Sequence, residues 1–403
     1  MAAMVGDRGG RSWLVLGGLA VGALAWQVAC GPDAGDPALT GATAALLSEV
    51  GPEVVLPALA AFEADVEVLG DAIDAWQAAL AAGGDGLTER GVAQDAWVAA
   101  MASWQRLELM QIGPAGSSLS AIGGQDLRDE IYSWPTTNPC RVDQETVAGG
   151  YGAADFHDQG LVNTYGLDAL ETLLFSGPDN ACPNQVDINS TGAWAALGDD
   201  GVAKARAAYA VAVVAGVADT ASRLSDAWDP SGGDFSGKLA LTTAGSPYGN
   251  EQEALNAVFD GLFYLETGTK DGKLAVPLGL QDCADESCPE AVELWASGTS
   301  LAAIEGNLLG FDALFSGGAD GGFEACLEAA GHGDLAVEIR TKTDAALARV
   351  QGLEDPLSVL VVESPDDVRA LHDDVKAVAD LLKGDLATVM VLEVPAEAAG
   401  DND

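Results

Sequence analysis

Apolar residues recur three and four positions apart along most of the chain, in segments separated by Gly, Pro and Asp. That spacing lays one apolar stripe along a helix, and it predicts helices over residues 54–80, 91–111, 165–175, 204–228, 251–264, 300–315, 334–350 and 365–382. No comparable series of alternating apolar and polar positions occurs. The one β-like run, "ATVMVLEVP" near the C-terminus, reads as a short strand or an extended tail. An all-α fold of two packed helical bundles follows. "GLDALETLLFSG" from Gly166 and "LLGFDALFSGG" from Leu308 share a Gly, apolar, Asp, Ala, Leu core followed by Phe-Ser-Gly. Duplication of one bundle would give this echo, and so would chance similarity of two helix ends. On the duplication reading the join lies near residue 200, in "ALGDDGVAK", with a first domain over 45–200, a second over 201–395 and an acidic tail over 396–403.

The N-terminus belongs to a different class of segment. Arg8 and Arg11 precede a fourteen-residue apolar run, 13–26, which is short for a membrane span of about 20 residues. The run ends at "QVAC", which resembles a bacterial lipobox with Gln27 where Leu is usual. Residues 1–29 therefore read as a lipoprotein signal peptide, with Cys30 as the acylated first residue and ordinary signal-peptidase cleavage as the alternative. Residues 30–44, rich in Gly, Pro and Asp at their start, read as a flexible tether. Gly31 after the cysteine, in place of Asp, resembles sorting to the outer membrane, facing the periplasm or the cell surface.

Composition narrows the partners. The chain of 403 residues is 48% hydrophobic, enough for a sizeable core, and sets 18 Lys and Arg against 62 Asp and Glu for a formal net charge of -44. Nucleic acid and anionic lipid surfaces are poor candidate partners, and cations or basic ligands are better ones. Much of the acidity also reads as a solubility adaptation on solvated faces. Five cysteines remain beyond Cys30, and export permits disulfides. Cys283 with Cys288 can staple one loop, Cys140 and Cys182 both sit in turn-forming surroundings, and Cys326 is left free. No C-x2-C spacing supports zinc.

Candidate chemistry is sparse. His157, His332 and His372 are isolated from one another and read as ordinary structural or loop residues. H-E-x-x-H, G-x-S-x-G, phosphate-loop and calcium-loop motifs do not occur. The exception is "YGLDALETLLF" at 165–175, where Asp168 and Glu171 lie three apart on one face at the head of an apolar helix. Two carboxylates there can begin a cation site. They can equally begin a helix, with Asp168 favouring the dipole's positive end and Glu171 pairing with an arginine.

Six blocks in order, "AMASWQRLELMQIGPAG", "LRDEIYSWPTTNPCRVDQ", "YGLDALETLLF", "ALNAVFDGLFYLETGTKDGKLAVPLGL", "SGTSLAAIEGNLLGFDALFSG" and the ending "GDND", resemble the imelysin family, also called M75 peptidase-like. The resemblance runs from about residue 45 to the C-terminus. It implies two helical, duplicated bundles, export, and association with iron uptake and its partner proteins. The peptidase label of the family does not by itself establish hydrolysis. The family's G-x-H-x-x-E hallmark is matched by Gly166 and Glu171, with Asp168 in place of the histidine. A carboxylate there shifts preference from zinc toward hard cations such as iron or calcium. It also removes a proton shuttle at neutral pH, since an unperturbed Asp titrates near 3.9.

A second polar block, Arg128, Asp129, Trp134, Arg141 and Asp143 beside Tyr132, suits a cleft wall or a salt-bridge cluster. In the second half Glu266 after "GLFYL", and Ser297, Thr299, Ser300 and Asn307 in "ASGTSLAAIEGN", face the first domain or cap helices, with capping the favoured reading; Glu266 and Asn307 stand beside the cleft candidates. The sequence thus leads to an exported lipoprotein that binds a cation or small ligand without catalysing a reaction. An M75-type metallopeptidase and a metal-free bundle binding a partner protein or polysaccharide are the alternatives.

Overall fold

The computed structural model describes residues 37–154, 156–319 and 321–399. The signal peptide, Cys30 and residues 400–403 lie outside the described residues. Helix α1 (Pro37–Glu49) continues through a π-helical turn, Val50–Val55, into α2 (Leu56–Ala81). Pro52 in that turn has no N–H to donate, and the wider hydrogen-bond register there absorbs the missing bond. Residues 37–44, expected in the tether, are helical instead. Proline is well suited to the first helical position, so Pro37 starts a helix, and Leu46 and Leu47 bury themselves in the core.

The first half continues with α3 (Leu87–Leu107), short α4 (Leu127–Ile131), α5 (Pro139–Ala148), α6 (Leu167–Phe175) and the long α7 (Ala193–Trp228). The second half holds α8 (Glu251–Leu262), a π-helical segment at Leu265–Ala275, α9 (Ser300–Ser316), α10 (Phe323–Ala329), α11 (Gly333–Gln351) and α12 (Pro365–Leu381). Every helix expected from the apolar spacing is present, and the described residues contain no strand. "ATVMVLEVP" forms a helical turn at Ala387–Met390 and then an irregular passage, because Ala387, Met390 and Leu392 bury against helices that offer no strand edge to pair with. Another turn, Ala396–Ala399, opens the stretch expected as an acidic tail.

α2 packs along both α3 and α7, while α9 packs on α3 and joins the halves. This crossing needs Gly310, where a Cβ would lie 2.2 Å from the Arg106 carbonyl oxygen. Gly166, its counterpart in the sequence echo, sits instead in a turn at φ +94°. The two glycines therefore do different work. A single apolar cluster runs from Leu46 to Ala398, with a satellite of Cys182, Ile188, Trp194 and Val202. Cys140 is bonded to Cys182, Cys283 to Cys288, and Cys326 is free, as the sequence led one to expect; the Cys326 thiol is buried. The expected join near residue 200 falls within α7, just after a break at Gly198 (φ +60°).

Candidate functional site

Helix α6 is fixed at both ends. At its head a Cβ on Gly166 would lie 2.9 Å from the Ile131 carbonyl oxygen and 2.8 Å from Asp168 Oδ1, so only glycine lets the helix start beside the end of α4. The Trp97 indole donates to the Leu167 carbonyl at 2.8 Å. At the other end the Leu174 carbonyl accepts from Arg90 Nε and from Gln94, both at 2.7 Å, and the Ser176 carbonyl from Arg90 Nη2 at 2.6 Å. Arg206 donates to the Ser176 and Gly177 carbonyls and pairs with buried Asp143 at 3.0 Å. Cations at a helix C-terminus complement its dipole.

Both carboxylates at the head of α6 turn inward. Asp168 is buried; its Oδ2 accepts from the Ser133 amide at 3.2 Å, from the Ser133 hydroxyl at 2.9 Å and from the Thr137 hydroxyl, while Oδ1 accepts from the Ala169 amide at 3.0 Å. Glu171, partly exposed, accepts from the Ser297 amide at 2.9 Å and not from an arginine. Burial pushes Asp168 up to about 6 against the help of its donors. Burial pushes Glu171 up to about 7, and Glu293 and Asp168 add their repulsion. Asp168 is thus neither a solvated helix cap nor a carboxylate of ordinary acidity.

Next to this pair lies a buried ionic network. Glu108 accepts from Arg128 at 2.7 Å and from Lys273 at 2.9 Å. Lys273 also reaches Gln105 Oε1 at 2.6 Å and Glu293 Oε1 at 3.1 Å. Tyr132 donates to Glu293 Oε1 at 2.6 Å, and Asn307 donates to Gln105 Oε1 at 3.0 Å. Burial works against the charge of Glu108, but Lys273 and then Arg128 outweigh it and hold the group at about 2. Burial raises Glu293. Its Oε2 is buried and finds no hydrogen-bond partner among the described residues. The Lys273 ammonium lies over the rings of Trp134, at 5.8 Å, and Tyr264, at 5.6 Å.

Arg128, Trp134 and Asn307 therefore join one polar core with Asp168 and Glu171. The other sequence candidates lie elsewhere. Asp129 is exposed and pairs with Arg128 at 2.8 Å. Arg141 is exposed and bonds Gln144, and Asp143 serves the far end of α6 with Arg206. Glu266 is buried and pairs with Lys270 at 3.2 Å and Lys383 at 2.6 Å. Ser297 reaches the first half through its bond to Glu171, whereas Thr299 makes no side-chain cap and the Ser300 hydroxyl donates to the Glu293 carbonyl. His157 packs between Phe156 and Tyr165 and bonds the Ala212 carbonyl, His332 precedes α11, and His372 is buried on α12.

Glu108, Gln105, Lys273, Glu293 and Ser133 were not singled out from the sequence. The available signal was scarcity: with only 18 basic residues, two lysines in "TKDGK" amid apolar surroundings are conspicuous. Among the described residues no group of three His, Cys, Asp or Glu is set to hold a metal ion. What the geometry offers a cation is Glu171, which is partly exposed, and the unpartnered oxygen of Glu293. The Asp168 oxygens are already engaged by four donors.

The imelysin (peptidase M75) family model matches residues 55–384. In fold the chain is similar to an imelysin-like protein from Psychrobacter arcticum 273-4, at 17% identity and a TM-score of 0.65 over 88% of this chain and 97% of that one. It is also similar to a putative iron-regulated protein A precursor from Parabacteroides distasonis ATCC 8503, at 17% identity and a TM-score of 0.64 over 87% and 95% of the two chains. No curated protein matches the chain.

Proposed function

The chain belongs to the imelysin family, and from that premise we propose that it is an exported protein that binds a cation without catalysing a reaction. The observation that carries this reading is the meeting of Asp168, Glu171 and Glu293 in one polar core, with Glu293 Oε2 buried and without a partner among the described residues. Within this core Lys273 pairs with Glu108 and Glu293 and Arg128 with Glu108, whereas Asp168 and Glu171 are held by hydroxyl and amide donors, so two basic groups stand against four carboxylates. With all of them ionised the cluster carries two surplus negative charges, which a cation would neutralise. Glu171 and Glu293 fit as the cation-facing groups. Asp168, saturated by its donors, fits as the residue that fixes the head of α6. One similar structure is described as iron-regulated, which makes ferric iron a first cation to try, with calcium beside it. The lipobox-like "QVAC" supports acylation of Cys30 and retention at the outer membrane.

Native mass spectrometry of protein recovered from the exported fraction tests the binding reading. A cation should accompany the wild type and be lost from Glu171→Gln. Chelator-sensitive cleavage of casein by the wild type would defeat the reading in favour of a metallopeptidase. The mass of the mature N-terminus tests the anchor: an unmodified Cys30 or an uncut Met1 would remove it.

A further inference from the structure

The loop that follows Glu293 carries a residue that the binding reading leaves unused. Glu293 and Leu294 are buried, and Leu294 adopts φ +52°, so the chain turns sharply before Trp295, which is 63% exposed. It is the one exposed tryptophan among the described residues. An amide-to-carbonyl bond of 2.9 Å from Gly298 to Leu294 closes the loop, and the Ser297 amide holds Glu171 at 2.9 Å. Two residues of chain separate the Cα atoms of Trp295 and Ser297 by at most about 7.6 Å. The indole is therefore tethered within side-chain reach of the Glu171 carboxylate. On the other side, the Val162 carbonyl accepts from the Ser133 hydroxyl at 3.1 Å, and its neighbour Leu161 is 58% exposed. Exposed apolar side chains thus stand on the loop that bonds Glu171 and on the loop linked to Asp168 through Ser133.

A bare metal ion has no use for such a rim. We infer that the cation bound here is a primary alkylammonium group, whose N–H groups donate to Glu171 and to Oε2 of Glu293 while its methylenes lie against Trp295 and Leu161. This rests on the cation-site reading above and names its ligand class. An ammonium over an indole is attracted by the ring's negative face, and the neighbouring carboxylates supply the opposite charge. Burial of Glu293 Oε2 without a donor among the described residues marks a place for a ligand's N–H.

The test is titration of the full mature chain with 1,5-diaminopentane, tetramethylammonium, calcium and ferric nitrilotriacetate, followed by calorimetry and by tryptophan emission. The blocked tripeptide N-acetyl-Gly-Lys-Gly-amide, whose one amine is the lysine side chain, run beside the diamine, distinguishes a free amine from a lysine side chain as the source. The diamine or the tripeptide should bind more tightly than tetramethylammonium, which has no N–H to donate, and should perturb the emission. Trp295→Ala should weaken that binding about tenfold, and Trp295→Phe should restore most of it while abolishing the emission change. Equal binding by wild type and Trp295→Ala would overturn the inference. Binding of calcium or iron with none of the primary ammonium probes would overturn it and leave the cation site standing. If no cation of any kind binds, the reading on which it rests falls as well.

Discussion

The hydroxyl of Tyr132 donates to Glu293 Oε1 at 2.6 Å, and Ser133, the next residue, holds Asp168 through both its amide and its hydroxyl. Two consecutive residues at the end of α4 thus fix one carboxylate from the second half of the chain and one from the head of α6. Tyr132→Phe removes a donor from a buried carboxylate. It should lower unfolding free energy by about 1–3 kcal/mol in urea titration. Ser133→Ala should act on Asp168 in the same direction.

Lys273 binds both Glu108 and Glu293, so its loss leaves buried negative charge uncompensated. Lys273→Met should destabilise the fold by about 3–5 kcal/mol, and adding Glu108→Gln should recover part of that loss. Chemical denaturation of the single and double variants measures the coupling. Strict additivity of the two substitutions would show that the residues do not act as a pair.

Glu171 is held at about 7 in the folded chain, above its ordinary value near 4.5. A group raised in this way binds more protons folded than unfolded. Its contribution to stability is full below about 4.5 and lost as pH rises through about 7. Glu171→Gln removes that dependence, so the variant should gain on the wild type between pH 5 and pH 8 in thermal unfolding. Asp168, at about 6, has the same sign over a lower window. Glu108, at about 2, has the opposite sign: its contribution is full above about 4.5 and is lost as pH falls through about 2.

The Cys140–Cys182 disulfide closes a loop of 42 residues' separation around the Asp143–Arg206 anchor of α6. Replacing both cysteines by serine should reduce stability by about 4 kcal/mol through loop-closure entropy, measured without reductant. The Cys283–Cys288 link spans only five positions and should contribute less.

Helices were legible because an apolar stripe has to be buried, and its period shows in the sequence whatever it packs against. The helix head at Asp168 and Glu171 was legible for the same reason, since spacing alone puts both on neighbouring turns. Their surroundings were not. Glu108 within "RLELMQ" looks like any solvated glutamate until Lys273, 165 positions away, is folded onto it. Asp143 stands beside Arg141 in sequence, yet its partner is Arg206, 63 positions on, so a cleft read from local neighbours mixed two separate clusters. Pro37 was ambiguous because proline both opens helices and fills tethers. The ordinary acidity assigned to Asp168 failed because burial is a tertiary property.

Calorimetric titration of the wild type and Glu171→Gln at pH 8, with the diamine, calcium and ferric nitrilotriacetate in turn, tests the central claim most directly. Saturable binding of at least one cation by the wild type is expected, weakened more than about tenfold when Glu171 loses its charge, the scale expected when one opposite charge is removed from a partly desolvated site. Identical isotherms for the two proteins, or no binding by the wild type, would contradict the claim and leave the carboxylates at the head of α6 as parts of the fold alone.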